Sequence, residues 1–527
     1  ITTTIIYEEV FMTKKDKKMR DANDVGGFLK SVEKIGNKMP HPAIIFLFLS
    51  IFVVIISHFA ARAGLSVTYF DAKAGEEVTK KAISLLSLEG LRYIFNSATD
   101  NFMNFAPIGT VLVAMLGVGV AENSGLFDAT LKNLLSDVSP TLLTIAVIFA
   151  GIMSNIASDA GYVVVVPLGA MIFAAADRNP LAGIAAAFAG VSGGFSANLL
   201  LGTTDPLLTN ITNEALKAVG MDLRISATCN IYFLFISTFL ITLVGTLVTT
   251  KIVEKNLGEY TGNYKADHKP LTDLEKKGLK NALISLIIFV IIMALLMFPK
   301  NAPLKSFDEK TGLVNLDEFL AYGLIPAMML LFLIPGLVYG KTVGSIKSSH
   351  DIIDSMSKSM ASMGGFLVLA FFAAQFVEYF SKSNLALILA KNGADFLKSI
   401  HLKGLPLLLM FILLTAFLNL FMGSASAKWA IMAPIFVPMM AELGPSPALT
   451  QVAYRIGDSS TNIITPLMSY FPMIVVFMQK YDEDAGLGTL TSMMLPYSFA
   501  FLISWSGLMV IWYLLGLPLG PGAPLLI

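Results

Sequence analysis

Two stretches of this chain repeat one pattern at a distance of 267 residues. The first runs Ser158-Asp159-Ala160-Gly161-Tyr162 to Pro167 and on to Pro180-Leu181. The second runs Ala425-Ser426-Ala427-Lys428-Trp429 to Pro434 and on to Pro447-Ala448. In each, an aromatic residue (Tyr162, Trp429) follows a short polar one (Asp159, Ser426) by three, and prolines follow at the same spacings. Both stretches are apolar segments interrupted by Ser, Asn, Gly and Pro. Backbone groups freed from a helix at membrane depth need partners, so such breaks persist only where protein or a cavity surrounds them. Paired breaks in two halves of a hydrophobic chain point to the substrate site of a secondary transporter.

The rest of the sequence agrees with a membrane setting. Of 527 residues, 55% are hydrophobic and 14% charged, where soluble domains carry about 25% charged residues. Mean hydropathy is +0.71. Formal net charge is zero, so nothing suggests a nucleic-acid partner. The single cysteine, Cys229, excludes an intrachain disulfide and a cysteine-based metal site. Met12 is a more natural start than Ile1, and residues 1–40 hold no apolar core of a cleavable signal.

Apolar runs of about 20 residues span a bilayer as helices. Full or partial spans are expected at 43–62, 103–121, 140–153, 181–198, 229–250, 281–298, 320–339, 361–380, 404–422, 448–460, 464–478 and 492–516. The interrupted segments 154–176 and 424–442 are long enough to enter and turn back as helical hairpins. Runs 448–460 and 464–478 read as one helix unwound in the middle. The fold class is therefore an all-α polytopic membrane protein. It has two inverted repeats (about 100–250 and 360–518), each with a re-entrant hairpin and a broken helix. Scaffold helices 43–62 and 281–339 complete it, between an N-terminal segment 1–42 and a C-terminal tail 519–527. Lysines and arginines cluster before residue 21, in the linker 251–280 and in loop 340–360, which places these on the cytoplasmic side, N-terminus included, and loops 63–99 and 300–319 outside.

Residues able to carry chemistry gather at the breaks. Arg455 and Asp458 lie three apart in Tyr454-Arg455-Ile456-Gly457-Asp458-Ser459-Ser460-Thr461-Asn462, so on a helix they share a face and can pair. Ionised groups at membrane depth are costly and by default functional, although a structural ion pair is the plain alternative. Asp458 opens a run of oxygen donors that ends at Asn462, suited to a hard cation such as sodium. Asn419, Ser424 and Ser426 belong to the second hairpin or its approach. Trp429 can stack on a substrate ring or simply pack. Lys428 either contacts a carboxylate or reaches for water. In the first repeat, Asn155 and Asp159 mark the hairpin. Asp205, before Pro206, is an ion or proton carrier or else a helix N-cap. Gly190-Val191-Ser192-Gly193-Gly194 matches a hydrolase pattern, but that pattern needs a preceding strand and a histidine partner. The five histidines (His41, His58, His268, His350, His401) all lie at run ends or in loops, so an enzyme is not expected. No phosphate-binding loop is present to support ATP-driven pumping.

With these motifs in view, the chain resembles the p-aminobenzoyl-glutamate transporter (AbgT) family over residues 27–524. The resemblance rests on Asn37-Lys38-Met39-Pro40-His41-Pro42, Phe105-Ala106-Pro107-Ile108-Gly109-Thr110, Ser192 to Asn198, Gly423 to Ala430, Tyr454 to Asn462 and Gly516 to Pro524. It implies a dimeric, bowl-shaped inner-membrane carrier with nine spans, two hairpins and elevator-type movement. It assigns Ser426, Trp429, Pro447 and Arg455 to substrate, and Asp205, Asn419 and Asp458 to ion or proton coupling. The residue reading adds Asp159, Asn155 and Asn462 to the coupling set. Sodium is the candidate metal, at Asn419 and Asp458. Lys428 departs from the family pattern and bears on substrate charge preference. The expected function is ion-coupled transport of p-aminobenzoyl-glutamate or related p-aminobenzene compounds, sulfonamide efflux included. H⁺ or Na⁺ is the coupling ion, and no other cofactor is expected. A sodium–dicarboxylate symporter is the rival within the class and an ion channel the rival outside it.

Overall fold

The computed structural model describes residues 42–71, 76–134, 139–155, 160–202, 204–262, 271–299, 302–308, 313–316, 319, 323–399 and 402–527. The fold is built from helices and their caps. Helices α1 (Pro42–Arg62), α2 (Leu88–Met103), α3 (Ala106–Asn123) and α4 (Leu126–Leu134) precede the first interrupted segment. Then come α5 (Pro140–Ser154), α6 (Ala160–Ala175), α7 (Pro180–Phe188), α8 (Thr204–Ala218) and α9 (Ile231–Val248). A pair follows, α10 (Asp273–Met297) and α11 (Leu324–Val343). The second half holds α12 (Ser349–Ser362), α13 (Gly364–Lys382), α14 (Leu385–Ser399), α15 (Gly404–Asn419), α16 (Ala425–Glu442), α17 (Pro447–Asn462), α18 (Phe471–Gln479) and α19 (Leu487–Leu514).

Seven helical stretches among the described residues are long and apolar enough to cross a membrane, from Ala43–Arg62 to Leu487–Leu514. The 15-residue α5 reaches about 22 Å at 1.5 Å per residue, short of a hydrocarbon core near 30 Å. Such an arm suits a segment that enters and turns back. The same element order recurs in the two halves, α5-α6-α7-break-α8-α9 and α15-α16-α17-break-α18-α19. The repeated prolines now have a reason. Pro180 and Pro447 stand in the first turn of α7 and α17, where a missing N–H costs nothing. The residues just before them cap the helices, Asn179 accepting from the Leu181 N–H at 3.0 Å and Ser446 from the Leu449 N–H at 3.2 Å.

Several expected boundaries shift. Segment 424–442 does not fold back within itself. It is one helix, α16, with Pro434 and Pro438 inside it, and the bend lies before it, at 420–424. In segment 154–176 the described residues after Asn155 form one helix, α6, and residues 156–159, Asp159 among them, lie outside the described residues. The run 464–478 is not one helix either. After α17 the chain is non-helical over Ile463–Tyr470, with Pro466 inside it, and only then enters α18. In the first half, α7 continues through a π-turn at Ala189–Gly193 and unwinds before α8, because Gly193-Gly194 cannot hold it. Loop 63–99 contains a hairpin of strands Ser66–Asp71 and Glu76–Lys81 and most of α2, capped by Ser87. Loop 340–360 contains most of α12, which begins at a Ser348/Asp351 capping box. The linker 251–280 ends in two polar turns of α10, begun by a Thr272/Glu275 capping box. Short capped helices with a polar face lack the long apolar run of a span, so they read as loop from the sequence. Strands Ser306–Asp308 and Leu313–Asn315 form a second small hairpin.

The C-terminal segment 519–527 is a docked strap. Leu519 accepts from the Tyr232 N–H at 2.9 Å, and Leu525 from the Ser446 N–H at 2.8 Å. Gly520 lies so close to the backbone at Thr228 that a Cβ there would stand 2.1 Å from its carbonyl oxygen. The strap therefore braces the starts of α9 and α17 together.

At the centre lies α17. All sixteen of its residues are buried, including Arg455 and Asp458. It packs on α15, α16 and α19 and touches the π-turn of the first half. Around it, α8 packs on α16 and α9 on α19, so the two halves interlock. By contrast, only 11% of the most apolar window of α10 is buried, which leaves that helix facing outward.

Candidate functional site

A wholly buried helix reading Pro-Ala-Leu-Thr-Gln-Val-Ala-Tyr-Arg-Ile-Gly-Asp-Ser-Ser-Thr-Asn must satisfy its polar groups internally. It does so mainly through charges on other elements. The sequence allows Arg455 to pair with Asp458 on the same helix; the structure pairs neither with the other. Arg455 Nη2 donates to Asp205 Oδ1 at 2.6 Å, and Lys428 Nζ donates to Asp458 Oδ1 at 2.5 Å. Both pairs are sealed, with every side chain at most 4% exposed.

Asp205 ties two elements together with its two oxygens. It sits in the first turn of α8, where its Oδ2 accepts the Gly202 N–H at 2.7 Å. Its other oxygen holds Arg455. One carboxylate thus fixes the end of the unwound stretch and ties it to α17. Lys428, in the first turn of α16, takes the carboxylate and not water. Its Nζ also donates to Asn419 Oδ1, at the end of α15. Asn419 Nδ2 lies 2.8 Å from the Asp458 carbonyl, 2.9 Å from Thr461 Oγ1 and 2.8 Å from Asn462 Oδ1. The Asn462 amide is 3.4 Å from Asp458 Oδ2. Asn419, Lys428, Asp458 and Asn462 are therefore one network.

Trp429 is buried, its ring 4.4 Å from that of Tyr454. Its indole N–H reaches Thr212 Oγ1 at 3.0 Å and the Leu208 carbonyl at 3.3 Å on α8. None of the ring is solvent-accessible in this conformation. Ser426 lies within reach of Ser424, 3.5 Å between hydroxyls, at the mouth of α16. Pro447 stands apart. It opens α17, about 12 Å along the axis from Arg455, under the C-terminal strap. Asn155 ends α5, and its amide donates to the Ile152 and Val191 carbonyls at 3.1 and 3.0 Å. It approaches Asp205 through Gly202, where a Cβ would meet the Asn155 carbonyl at 3.3 Å and Asp205 Oδ2 at 3.8 Å.

Gln451 is a residue the sequence reading missed. It lies one turn before Arg455 on the same face. Its oxygen accepts from Cys229 Sγ at 3.3 Å, and its Nε2 has no hydrogen-bond partner. Arg455 Nε has none either. Two buried donors left over one turn apart are what an acceptor-rich ligand would complete. The available signal was a glutamine four before an arginine in a polar, helix-length run. Elsewhere a cavity of about 360 Å³ lies between α3, α6, α11, α13 and α18, lined by Met115, Met171, Phe332 and Phe477 with the charged Glu122 and Lys480. It contains none of the residues of the two ion pairs, so we place the site by chemistry at α17 and not by open volume.

Comparison with known proteins decides the family. Residues 27–527 match the model of the "AbgT putative transporter family". The chain belongs to the AbgT family. It is 39% identical over 491 residues to the p-aminobenzoyl-glutamate transport protein of Escherichia coli strain K12, covering 93% of this chain and 95% of that one. The crystal structure of the YdaH transporter from Alcanivorax borkumensis is similar at 43% identity and a TM-score of 0.51, over 92% of this chain and all of that one. MtrF of Neisseria gonorrhoeae, described as illuminating a class of antimetabolite efflux pumps, is similar at 45% identity and a TM-score of 0.52, over 94% of this chain and all of that one. This AbgT-family chain is a multi-span membrane transporter, not an enzyme.

Proposed function

We propose that this chain is an ion-coupled secondary transporter of p-aminobenzoyl-glutamate or closely related p-aminobenzene compounds. The observation that carries the reading is Arg455. It is a buried guanidinium with one carboxylate partner and an unpartnered Nε, one turn from the unpartnered Gln451 amide. That pair of donors suits a carboxylate, with planar guanidinium geometry favouring a two-point contact. The Trp429–Tyr454 aromatic pair, one ring on α16 and one on α17, supplies an apolar neighbour for a ring once the helices part. Similarity to the E. coli transport protein supports the named substrate. Similarity to MtrF favours a second reading, export of antimetabolites that share the p-aminobenzene ring.

In this account α17 with its flanking breaks forms the moving site, and the two halves are related by an inverted repeat. Helix α10, with its outward apolar face, is part of the scaffold on which a homodimer in the bacterial inner membrane would be built. The positive-inside pattern supports a cytoplasmic N-terminus. Binding of radiolabelled p-aminobenzoyl-glutamate to purified protein tests the reading. We expect saturable binding in the wild type and a loss of at least tenfold in Arg455→Met, with a smaller loss in Gln451→Leu. Equal affinity in wild type and Arg455→Met would overturn it. Displacement by succinate at comparable concentration would transfer the site to dicarboxylates.

A further inference from the structure

The oxygens that would ligate a sodium ion at Asn419 and Asp458 are already engaged. Lys428 Nζ lies on Asn419 Oδ1 and on Asp458 Oδ1. Asp458 Oδ2 is met by the Asn462 amide at 3.4 Å. A hard cation draws its ligands from several oxygens at once, and here the two side-chain oxygens it needs face an ammonium. A second positive ion beside that ammonium would meet like-charge repulsion where water cannot screen it. Charge count argues the same way. The two buried pairs, Asp205–Arg455 and Asp458–Lys428, sum to zero. An added sodium would leave one positive charge uncompensated in a dry interior, which is costly. The residues present do not fit sodium at this place.

We infer that Lys428 is a tethered cation that occupies the coupling-ion position at Asn419 and Asp458, so that this chain binds no sodium there. The inference deepens the proposed transport reading and rests on it for its functional meaning. The first half shows why the device belongs to this half alone. The position matching Lys428 is Gly161, where even a Cβ would stand 1.9 Å from Ser154 Oγ. No lysine can be built there. Removing the ammonium from the second half would leave Asp458 buried without its cation, and a free cation would then be drawn to the same oxygens.

The test is sodium binding to purified full-length protein without substrate, so failure of the substrate assignment leaves it intact. Radiolabelled sodium is titrated onto wild type, Asn419→Ala, Lys428→Ala and the double variant Lys428→Ala/Asp458→Asn. We expect Lys428→Ala to bind one more sodium per chain than wild type, and the double variant to lose that extra ion. Sodium, compared with choline, should raise the melting temperature of Lys428→Ala more than that of the wild type, by mass action on the folded state. Equal sodium stoichiometry in wild type and Lys428→Ala would overturn the inference. If Lys428→Ala cannot be purified, the wild-type arm decides. Wild-type sodium binding unaffected by Asn419→Ala supports the tethered cation, and wild-type binding abolished by Asn419→Ala overturns it.

Discussion

The two polar bends of this molecule make a controlled comparison. Asn155 and Asn198 in the first half stand 264 residues before Asn419 and Asn462 in the second. Asn155 follows the end of α5 as its cap, and Asn419 is the last residue of α15. The second bend closes on itself. Both Asn419 oxygen and amide, the Asn462 side chain and both Asp458 oxygens have partners within one network anchored by Lys428. Among the described residues the first bend does not close. The Oδ1 atoms of Asn155 and Asn198 are buried without a hydrogen-bond partner, and its aspartate, Asp205, reaches across to Arg455 of the other half. The same asparagine frame thus gives one internally neutral cluster and one that depends on its neighbour. An internal charge makes a bend autonomous, and a borrowed one couples the halves.

This difference can be broken from either side. The largest expected effect comes from Arg455→Ala, which leaves Asp205 buried without its cation. Removing one member of a buried pair costs about 3–5 kcal/mol, read as a lowered melting temperature in detergent, together with loss of transport. Asp205→Asn leaves the Arg455 guanidinium buried without its carboxylate and should cost a similar amount, less whatever the retained bond to the Gly202 N–H contributes; an unchanged melting temperature would show that the pair adds nothing to stability. Asp458→Asn should abolish coupled transport while the protein still assembles. Wild-type flux in that variant would remove the second bend from the mechanism.

Trp429→Phe sharpens the role of α8. It keeps a ring against Tyr454 but removes the indole donor to Thr212 Oγ1, while the Leu208 carbonyl keeps the Thr212 hydroxyl as a donor at 2.9 Å, for an expected loss of about 1 kcal/mol in thermal or denaturant melting. Weakened substrate affinity beyond that change would assign the indole to the ligand, and unchanged affinity would return it to packing. The smallest pair of effects concerns the helix starts. Asn179→Ala should cost about 1 kcal/mol as a lost N-cap. Ser446→Ala should cost more, since Ser446 Oγ also holds the Pro524 carbonyl of the strap at 2.6 Å in a half-buried place, whereas the second bond of Asn179, to the Gly258 carbonyl at 3.2 Å, is longer and exposed. Equal melting shifts would mean that the strap adds nothing to α17.

Much of the architecture was legible because its signals are local. Apolar runs, the Asn179-Pro180 and Ser446-Pro447 starts and the Gly193-Gly194 break each act within a few residues. Helices α2 and α12 were not legible, because a capped amphipathic helix beside a membrane lacks the long apolar run that marks a span. The identities of the site residues followed from charge in an apolar setting, and Asp205, Asn419, Arg455 and Asp458 do come together around α17. Their pairing did not follow. Spacing places Arg455 near Asp458, but only the packing of α8 and α16 against α17 brings Asp205 and Lys428 as the actual partners. Lys428 was visible as an oddity of the second hairpin, yet its direction, inward to Asp458, depends on where α16 begins. Gln451 carried no motif at all; only its unpartnered amide marks it.

The role proposed for the buried charges of α17 is to couple solute movement to an ion gradient. The most direct measurement is flux of radiolabelled p-aminobenzoyl-glutamate in proteoliposomes under a proton gradient and, separately, a sodium gradient. Flux should follow an imposed ion gradient and disappear in Asp458→Asn. Flux at the wild-type rate in Asp458→Asn, indifferent to either gradient, would contradict it.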